Sequence, residues 1–338
     1  MRISFTTAAE TMADTKQEFK DVVGYSHASY QILKTLDSMG FDTRIKDNSA
    51  PIGISMGFPA DYKFAPHQYK IGYTAWESTE LKDGWLERMF MCDEVWATSS
   101  WTANVFKEKL GREDIHVYPH GIDVDWKPKK RKRKDVFRFL HIGEPQLRKN
   151  GQLVVDAFIE LFGNDPNYQL IMKCSNINST RIFNEDGTIA GGPDAKYSNI
   201  KMITIPLKHS QMVELYWKSD AMVYPTTGEG FGFIPLQAIA TGMPVASTTE
   251  WAEYKDYITV PVPAKLSPSI YPQLHPGEIY NVTKDDVKKS LIELVENYDQ
   301  HAKNTFKNSF KVHEEYDWNR VTQPTAERLK KILKTRGL

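Results

Sequence analysis

One carboxylate set among three glycines, Gly228-Glu229-Gly230-Phe231-Gly232, follows an apolar strand, Ala221-Met222-Val223-Tyr224, and precedes an apolar helix, Phe233-Ile234-Pro235-Leu236-Gln237-Ala238-Ile239-Ala240. A helix N-terminus leaves its first amides unpaired and carries the positive end of the dipole, and glycines let a ligand approach the backbone. The chemistry this suits is the holding of a phosphate-bearing, nucleotide-linked guest. A second glycine-marked turn lies upstream, where the strand at 137–142 ends in Gly143 and the segment Arg148-Lys149-Asn150-Gly151 opens another apolar helix. Cations at a helix start are unfavourable unless an anion joins them. Two cations, two helix starts and one carboxylate are therefore what these two turns offer such a guest.

Strands alternating with helices must position these parts. The first strand, 1–7, is followed by a polar stretch at 8–22. Gly24-Tyr25-Ser26 then opens an amphipathic run in which Ile32, Leu33, Leu36 and Met39 share one face, and a strand resumes at 41–45. Another strand at 69–73 leads into Trp76-Glu77-Ser78. The strand at 93–98 ends in a serine cap that launches a helix, and the strand at 115–118 ends in Pro119-His120-Gly121-Ile122-Asp123. This alternation predicts α/β architecture, with parallel sheets joined by right-handed crossovers. A proline-rich stretch at 261–276 reads as a surface loop, and 282–338 reads as helical with a break near Trp318.

At 338 residues, with 41% hydrophobic and 12% aromatic side chains, the chain has material for two cores. Lysine plus arginine equals aspartate plus glutamate at 43 each, so no global field draws it to nucleic acid or membrane. Local attraction is confined to one run, Lys127-Pro128-Lys129-Lys130-Arg131-Lys132-Arg133-Lys134. It reads as a solvated linker, with contact to a polyanion or an anionic lipid surface as the other reading. Cys92 and Cys174 stand apart beside apolar runs and read as reduced, buried thiols of a cytoplasmic protein. They form no metal framework, and no apolar run reaches the about 18 residues a membrane-spanning helix needs.

From about residue 70 onward the chain resembles the retaining GT-B glycosyltransferases, and most closely glycosyltransferase family 4. Trp76-Glu77-Ser78, Ser99-Ser100-Trp101, Pro119-His120-Gly121-Ile122-Asp123 and the Glu229 segment carry the resemblance. The family's mark is an acidic residue, seven intervening residues and a second acidic residue, and here the pair is Glu229 and Gln237. The resemblance implies a GT-B fold of two Rossmann-like domains facing across a cleft. Residues 1–128 would form an acceptor domain, 129–136 the linker, 137–315 a nucleotide-sugar domain and 316–338 a helix returning to the first domain.

It also implies roles. Glu229 lies against the donor sugar, Lys149 meets the diphosphate, and His120 bonds sugar hydroxyls. Gly143 and the backbone of Gly230, Phe231, Gly232, Phe233 and Ile234 line the donor. Gln237 faces the ribose, accepting one hydroxyl and donating to another without the charge of a glutamate. Arg148 replaces a family arginine where this chain has Glu144, which points away. Gly24 and Tyr25 fill the loop that touches acceptor and donor, with Glu77 beside them, while Asp123 and Asp125 are structural. The implied activity is retaining, front-face transfer from a UDP- or GDP-sugar to a hydroxyl of a glycan, lipid or hydroxymethylated DNA base, with neither cofactor nor metal. A nucleotide-sugar epimerase or phosphorylase on the same fold, and a non-catalytic polyanion binder, are the other readings.

Overall fold

A computed structural model describes residues 2–7, 24–143, 147–174 and 197–337. The polar stretch at 8–22, Glu144 and the glycine-rich stretch at 187–193 lie outside the described residues. Two six-stranded parallel sheets carry the fold. The first comprises β1 (Arg2–Thr6), β2 (Asp42–Ile45), β3 (Ile52–Met56), β4 (Tyr69–Thr74), β5 (Glu94–Ala97) and β6 (Ile115–Val117), in the order β2-β1-β3-β4-β5-β6. In the second are β7 (Phe137–Ile142), β8 (Tyr168–Lys173), β9 (Ile200–Ile203), β10 (Ala221–Tyr224), β11 (Val245–Ser247) and β12 (Val260–Pro261), ordered β12-β11-β10-β7-β8-β9. Strands covered by helices on both faces are apolar without alternation, as the fully buried β3, β10 and β11 are.

The first domain adds α1 (Gly24–Ser38), α2 (Trp85–Phe90) and α3 (Ser100–Leu110), the last capped by Ser99, whose side chain accepts from the Thr102 amide. To the second belong α4 (Gly151–Phe162), α5 (His209–Lys218), α6 (Phe233–Ala240), α7 (Lys284–Glu296) and α8 (Tyr298–Glu315). After a break at Tyr316, α9 (Trp318–Thr335) returns to the first domain and packs on α1. Two carboxylates, Asp123 half-buried and Glu94 buried, fasten it there. Asp123 accepts from Trp318 Nε1 at 2.9 Å and from Gln31 at 2.8 Å, with His27 Nε2 at 3.0 Å, so its role is structural, as expected. Farther along, Glu94, which is 1% exposed, accepts from Arg328 at 2.6 Å, Tyr69 at 2.7 Å and Trp96 at 2.9 Å. Burial alone would raise the Glu94 pKa, but these donors hold it below the ordinary value.

Two readings need correction. The stretch 261–276 is not a free surface loop. It forms β13 (Lys265–Pro268), which pairs antiparallel with β14 (Glu278–Asn281), and the connection docks on the first domain. The Thr79 amide donates to the Glu278 carbonyl at 3.1 Å, and the Glu80 amide to that of Pro276 at 3.4 Å. Backbone groups at the end of one domain thereby satisfy those of the other.

Nor is the basic run only a solvated linker. Arg131 donates to the carbonyls of Ser219 at 2.6 Å, Gly242 at 3.2 Å and Trp217 at 3.3 Å. Lys129 also reaches Trp217, Arg133 reaches Val295, and Lys134 reaches the buried Asp220 at 2.8 Å. These acceptors stand at the C-terminal ends of α5, α6 and α7, where the last carbonyls lack partners and the dipole is negative. Lys127, Lys130 and Lys132 remain exposed. Arg131→Ala should therefore destabilise the protein by about 2 kcal/mol, whereas Lys130→Ala and Lys132→Ala should each change it by less than about 0.5 kcal/mol. Urea denaturation midpoints measure this, and equal small effects at all three positions would restore the linker reading.

Candidate active site

The order of the second sheet reverses between β7 and β10, so the loops leaving these two strands diverge and open a crevice at their C-terminal ends. The two loops are tied together across it. The Thr227 amide donates to the Arg148 carbonyl at 2.9 Å, and Asn150 Nδ2 to that of Pro225 at 2.6 Å. From the β7 loop comes Lys149, whose stem passes Gly143 so closely that a Cβ there would lie 3.1 Å from its Cγ. Its ammonium donates to Tyr224 at 2.7 Å and to the Glu229 carboxylate. Arg148 stands 2.8 Å from Glu229 Oε1 and donates to the Gly228 carbonyl at 2.5 Å. The same carboxylate oxygen accepts from Tyr224 at 2.9 Å and Thr226 at 3.0 Å. Lys149, Arg148 and Glu229, read from the sequence as donor-site groups, thus form one buried cluster.

Electrostatics follow from that crowding. Burial would raise the Glu229 carboxyl, but Arg148 and Lys149 outweigh it and push the pKa down to about 2. Lys149 is pushed down to about 8, first by burial and then by Arg148, against the pull of Glu229. Two cations share the Glu229 carboxylate as their close counterion, and a second carboxylate stands farther off. This is Glu77, which faces the cluster from the first domain, 3.7 Å from Arg148 and 3.8 Å from His275 Nδ1. Burial raises the Glu77 pKa, against the pull of Arg148.

The remaining expected residues divide by what they touch. His120, 4% exposed, stacks on Phe233 at 5.1 Å, meets the edge of Phe231 at 5.0 Å and lies 3.4 Å from the Tyr73 hydroxyl. Burial, with His27 nearby, pushes its pKa down to about 3. Phe231 is core, which leaves only its backbone for a ligand. Gly232 adopts φ +81 directly before α6, and Ile234 is half-buried in the first turn of that helix. Gln237 Oε1 accepts from the Tyr216 hydroxyl at 3.0 Å, which leaves one of its lone pairs and its amide nitrogen for other partners.

Gly24 and Tyr25, expected in a loop, are instead the first residues of α1 and lie beside Ala75 and Phe233. The Tyr25 hydroxyl accepts from the Ala75 amide at 3.1 Å, and a Cβ on Gly24 would lie 3.9 Å from the Phe233 ring. The glycines of the central motif serve the approach of the other domain rather than that of a ligand alone. A Cβ on Gly228 would come 2.5 Å from the Glu77 carbonyl oxygen, and one on Gly230 would overlap Ala75. Thr98 also donates to the Gly230 carbonyl at 2.6 Å. Sequence reasoning passed over Tyr224, Thr226 and His275. The first two were visible as polar groups flanking the motif, and His275 as an isolated histidine in a proline-rich stretch. Among the described residues, no three or more His, Cys, Asp or Glu side chains gather as a metal site.

Comparison with known proteins agrees with this geometry. A family model described as glycosyl transferases group 1 matches residues 123–259, the part that holds the cluster. A putative glycosyltransferase 45 of the Sulfolobus islandicus filamentous virus (isolate Iceland/Hveragerdi) is 25% identical over 170 residues, covering 48% of this chain and 43% of the relative. The chain therefore spans less than half the length of that curated relative. Among solved structures, Anabaena Alr3699/HepE in complex with UDP and glucose superposes with a TM-score of 0.66 at 12% identity, covering 98% of this chain and 99% of the other. The apo form of the lipopolysaccharide outer core galactosyltransferase WaaB gives 0.63 at 15% identity, covering 98% and 100%. The architecture is the GT-B fold.

Burial keeps three histidines neutral, and the pH dependence follows. His120 and His275 are pushed down to about 3 and His141 to about 4, below the ordinary 6.5. The unfolded chain therefore takes up protons that the folded chain refuses, and stability falls as the pH drops from about 6.5 toward 4, by up to about 1.4 kcal/mol per histidine and pH unit. NMR of the imidazole rings at pH 5.5 should show all three neutral. Protonated rings in the folded protein at that pH would contradict the burial argument.

Proposed function

We propose that this protein is a retaining glycosyltransferase that moves a sugar from a nucleoside-diphosphate sugar, such as a UDP- or GDP-sugar, to a hydroxyl acceptor. One observation carries the reading: Lys149, Arg148 and Glu229 converge at the strand-order reversal of the second sheet, facing Glu77 of the other domain. In glycosyl transfer, positive charge grows on the anomeric carbon and ring oxygen while negative charge gathers on the departing diphosphate. Lys149, Arg148 and the first amides of α6 stabilise that diphosphate, and this kind of term is usually the largest in catalysis. Glu229 orients the sugar, His120 lends a neutral ring nitrogen to its hydroxyls, and Gln237 donates its amide to the ribose. The positive charge comes from the protein itself, so the reaction needs no metal.

The front-face course is supported by the weakness of three bases in this site, while Glu77, whose pKa burial raises, faces Arg148 from the other domain. Glu229 at about 2, His120 at about 3 and His275 at about 3 are all poor proton acceptors near neutrality. The leaving phosphate is the stronger base and takes the proton of the incoming hydroxyl on the face it departs from. Two closed domains keep water from the sugar. Buried thiols at Cys92 and Cys174 suit a cytoplasmic setting, and Lys127, Lys130 and Lys132 are the cations free for a contact with nucleic acid or an anionic membrane.

Nucleotide release from a panel of UDP- and GDP-sugars, with and without added hydroxyl acceptors, tests the activity, and NMR of the product's anomeric configuration tests retention. Lys149→Ala and Glu229→Gln should each lower turnover about 10²–10³-fold while circular dichroism shows an intact fold. A folded double variant with full activity would overturn the site. Turnover without an acceptor, or only with free phosphate, would favour the epimerase or phosphorylase reading, and binding of no nucleotide sugar the non-catalytic one.

A further inference from the structure

The first sheet has its own reversal of strand order, between β1 and β3. Phe58 follows β3 there and is 48% exposed, although it is a large aromatic side chain. Its back is built. Trp85 lies 5.8 Å behind it and Trp76 a further 4.4 Å on, each no more than 3% exposed. Tyr25 meets Phe58 edge-on at 5.8 Å, and its hydroxyl is held by the Ala75 amide, two residues before Glu77. The ammonium of Lys82 stands over the same rings, 5.9 Å from Phe58, 5.8 Å from Trp76 and 5.9 Å from Trp85. Among the described residues it makes no ion pair, and its charge is felt by Glu77 and His275. An exposed aromatic face, an uncommitted cation and a carboxylate facing the donor cluster therefore stand along one lip of the cleft.

We propose that this lip is the acceptor subsite and that it takes a sugar bearing an anionic substituent, a carboxylate or a phosphate. The inference rests on the glycosyl-transfer reading above and gives it an acceptor class. The C–H face of a pyranose packs on Phe58 with Tyr25 at its edge, the anion meets Lys82 as a point charge, and the reacting hydroxyl is directed toward Glu77. An anionic bilayer or a nucleic acid engages several cations at once. Here three rings converge on one ammonium, which suits a single charge on a small ring.

The test measures transfer from the preferred nucleotide sugar to methyl glucuronide, to methyl glucoside 6-phosphate and to neutral methyl glucoside. A 5-hydroxymethylcytosine oligonucleotide and phosphatidylglycerol vesicles are included as rival acceptors. One or both charged sugars should be used best, and which of them is preferred tells carboxylate from phosphate. Lys82→Met, which keeps the packing stem, should raise KM for the charged acceptor about tenfold while KM for the neutral glucoside and for the donor moves by less than about twofold. Phe58→Ala should raise KM for charged and neutral sugars alike. Preference for the neutral glucoside, an equal effect of Lys82→Met on both sugars, or transfer only to the oligonucleotide or the vesicles would overturn the proposal. Nucleotide release that depends on a different hydroxyl acceptor, with none of these sugars used, would remove this subsite and leave the transfer reading standing. Release from no donor would remove both.

Discussion

The sharing of one buried carboxylate between two cations is the constraint on which the rest of this structure depends. Taking a charge out of water costs several kcal/mol per ion unless partners replace the solvent. Glu229 repays it for Lys149 and Arg148 only because Tyr224 and Thr226 also aim at its oxygen. All these groups are presented by two loops leaving neighbouring strands in opposite directions. Asn150 holds the junction. It adopts φ 54, a left-handed conformation that asparagine tolerates better than most residues, and bonds the facing loop while α4 starts behind it. In the proposed reaction an entering diphosphate would replace part of what Glu229 supplies and free the carboxylate to turn to the sugar.

The same cluster explains why the two domains touch. Gly228 and Gly230 have no side chain because the loop at residues 75–77 occupies that space, and this contact brings Glu77 to Arg148. Around it lie Thr98 on the Gly230 carbonyl, Ser100 on Glu253, Thr79 on Glu278 and Trp101 on Tyr280. These are polar contacts that water can replace. The chain passes between domains just after Trp126 and again at Tyr316, and the passages are bound to each other through Ile122 and Tyr316 at 2.7 Å and through Trp318 and Asp123.

Both sheets and the returning helix were legible because parallel strands buried on both faces write continuous apolar runs, separated by turns that glycine, proline and serine mark. The cluster around Glu229 was legible for a related reason. A lysine and an arginine at a helix start, and a carboxylate among glycines, are locally unfavourable unless something compensates them, and such conflicts point to sites. Other features depended on contacts between distant segments. Arg131 reads as one cation in a charged run until the ends of α5 and α6 arrive beside it. The hairpin at 265–281 has too few residues per strand to announce itself, and its docking is decided by backbone groups of Thr79 and Glu80, which no side chain reveals. Phe58 and Lys82 carry no motif at all, since each is unremarkable until the rings behind them are placed.

Gln237 shows how far the charge argument reaches. The hydroxyl of Tyr216 is enclosed and needs an acceptor, and Gln237 Oε1 supplies one. A glutamate at this position could satisfy that hydroxyl equally well and would bond ribose hydroxyls more strongly. It would also add a carboxylate to a domain that already holds Glu229 and, in the proposed reaction, would face the negative charges of a diphosphate. The amide keeps the hydrogen bond to Tyr216, turns a donor outward and adds no charge. In the proposed reaction, holding the ribose more weakly while leaving the diphosphate field unopposed would shift binding energy from the nucleoside to the group whose charge grows during reaction, which is where it lowers the barrier.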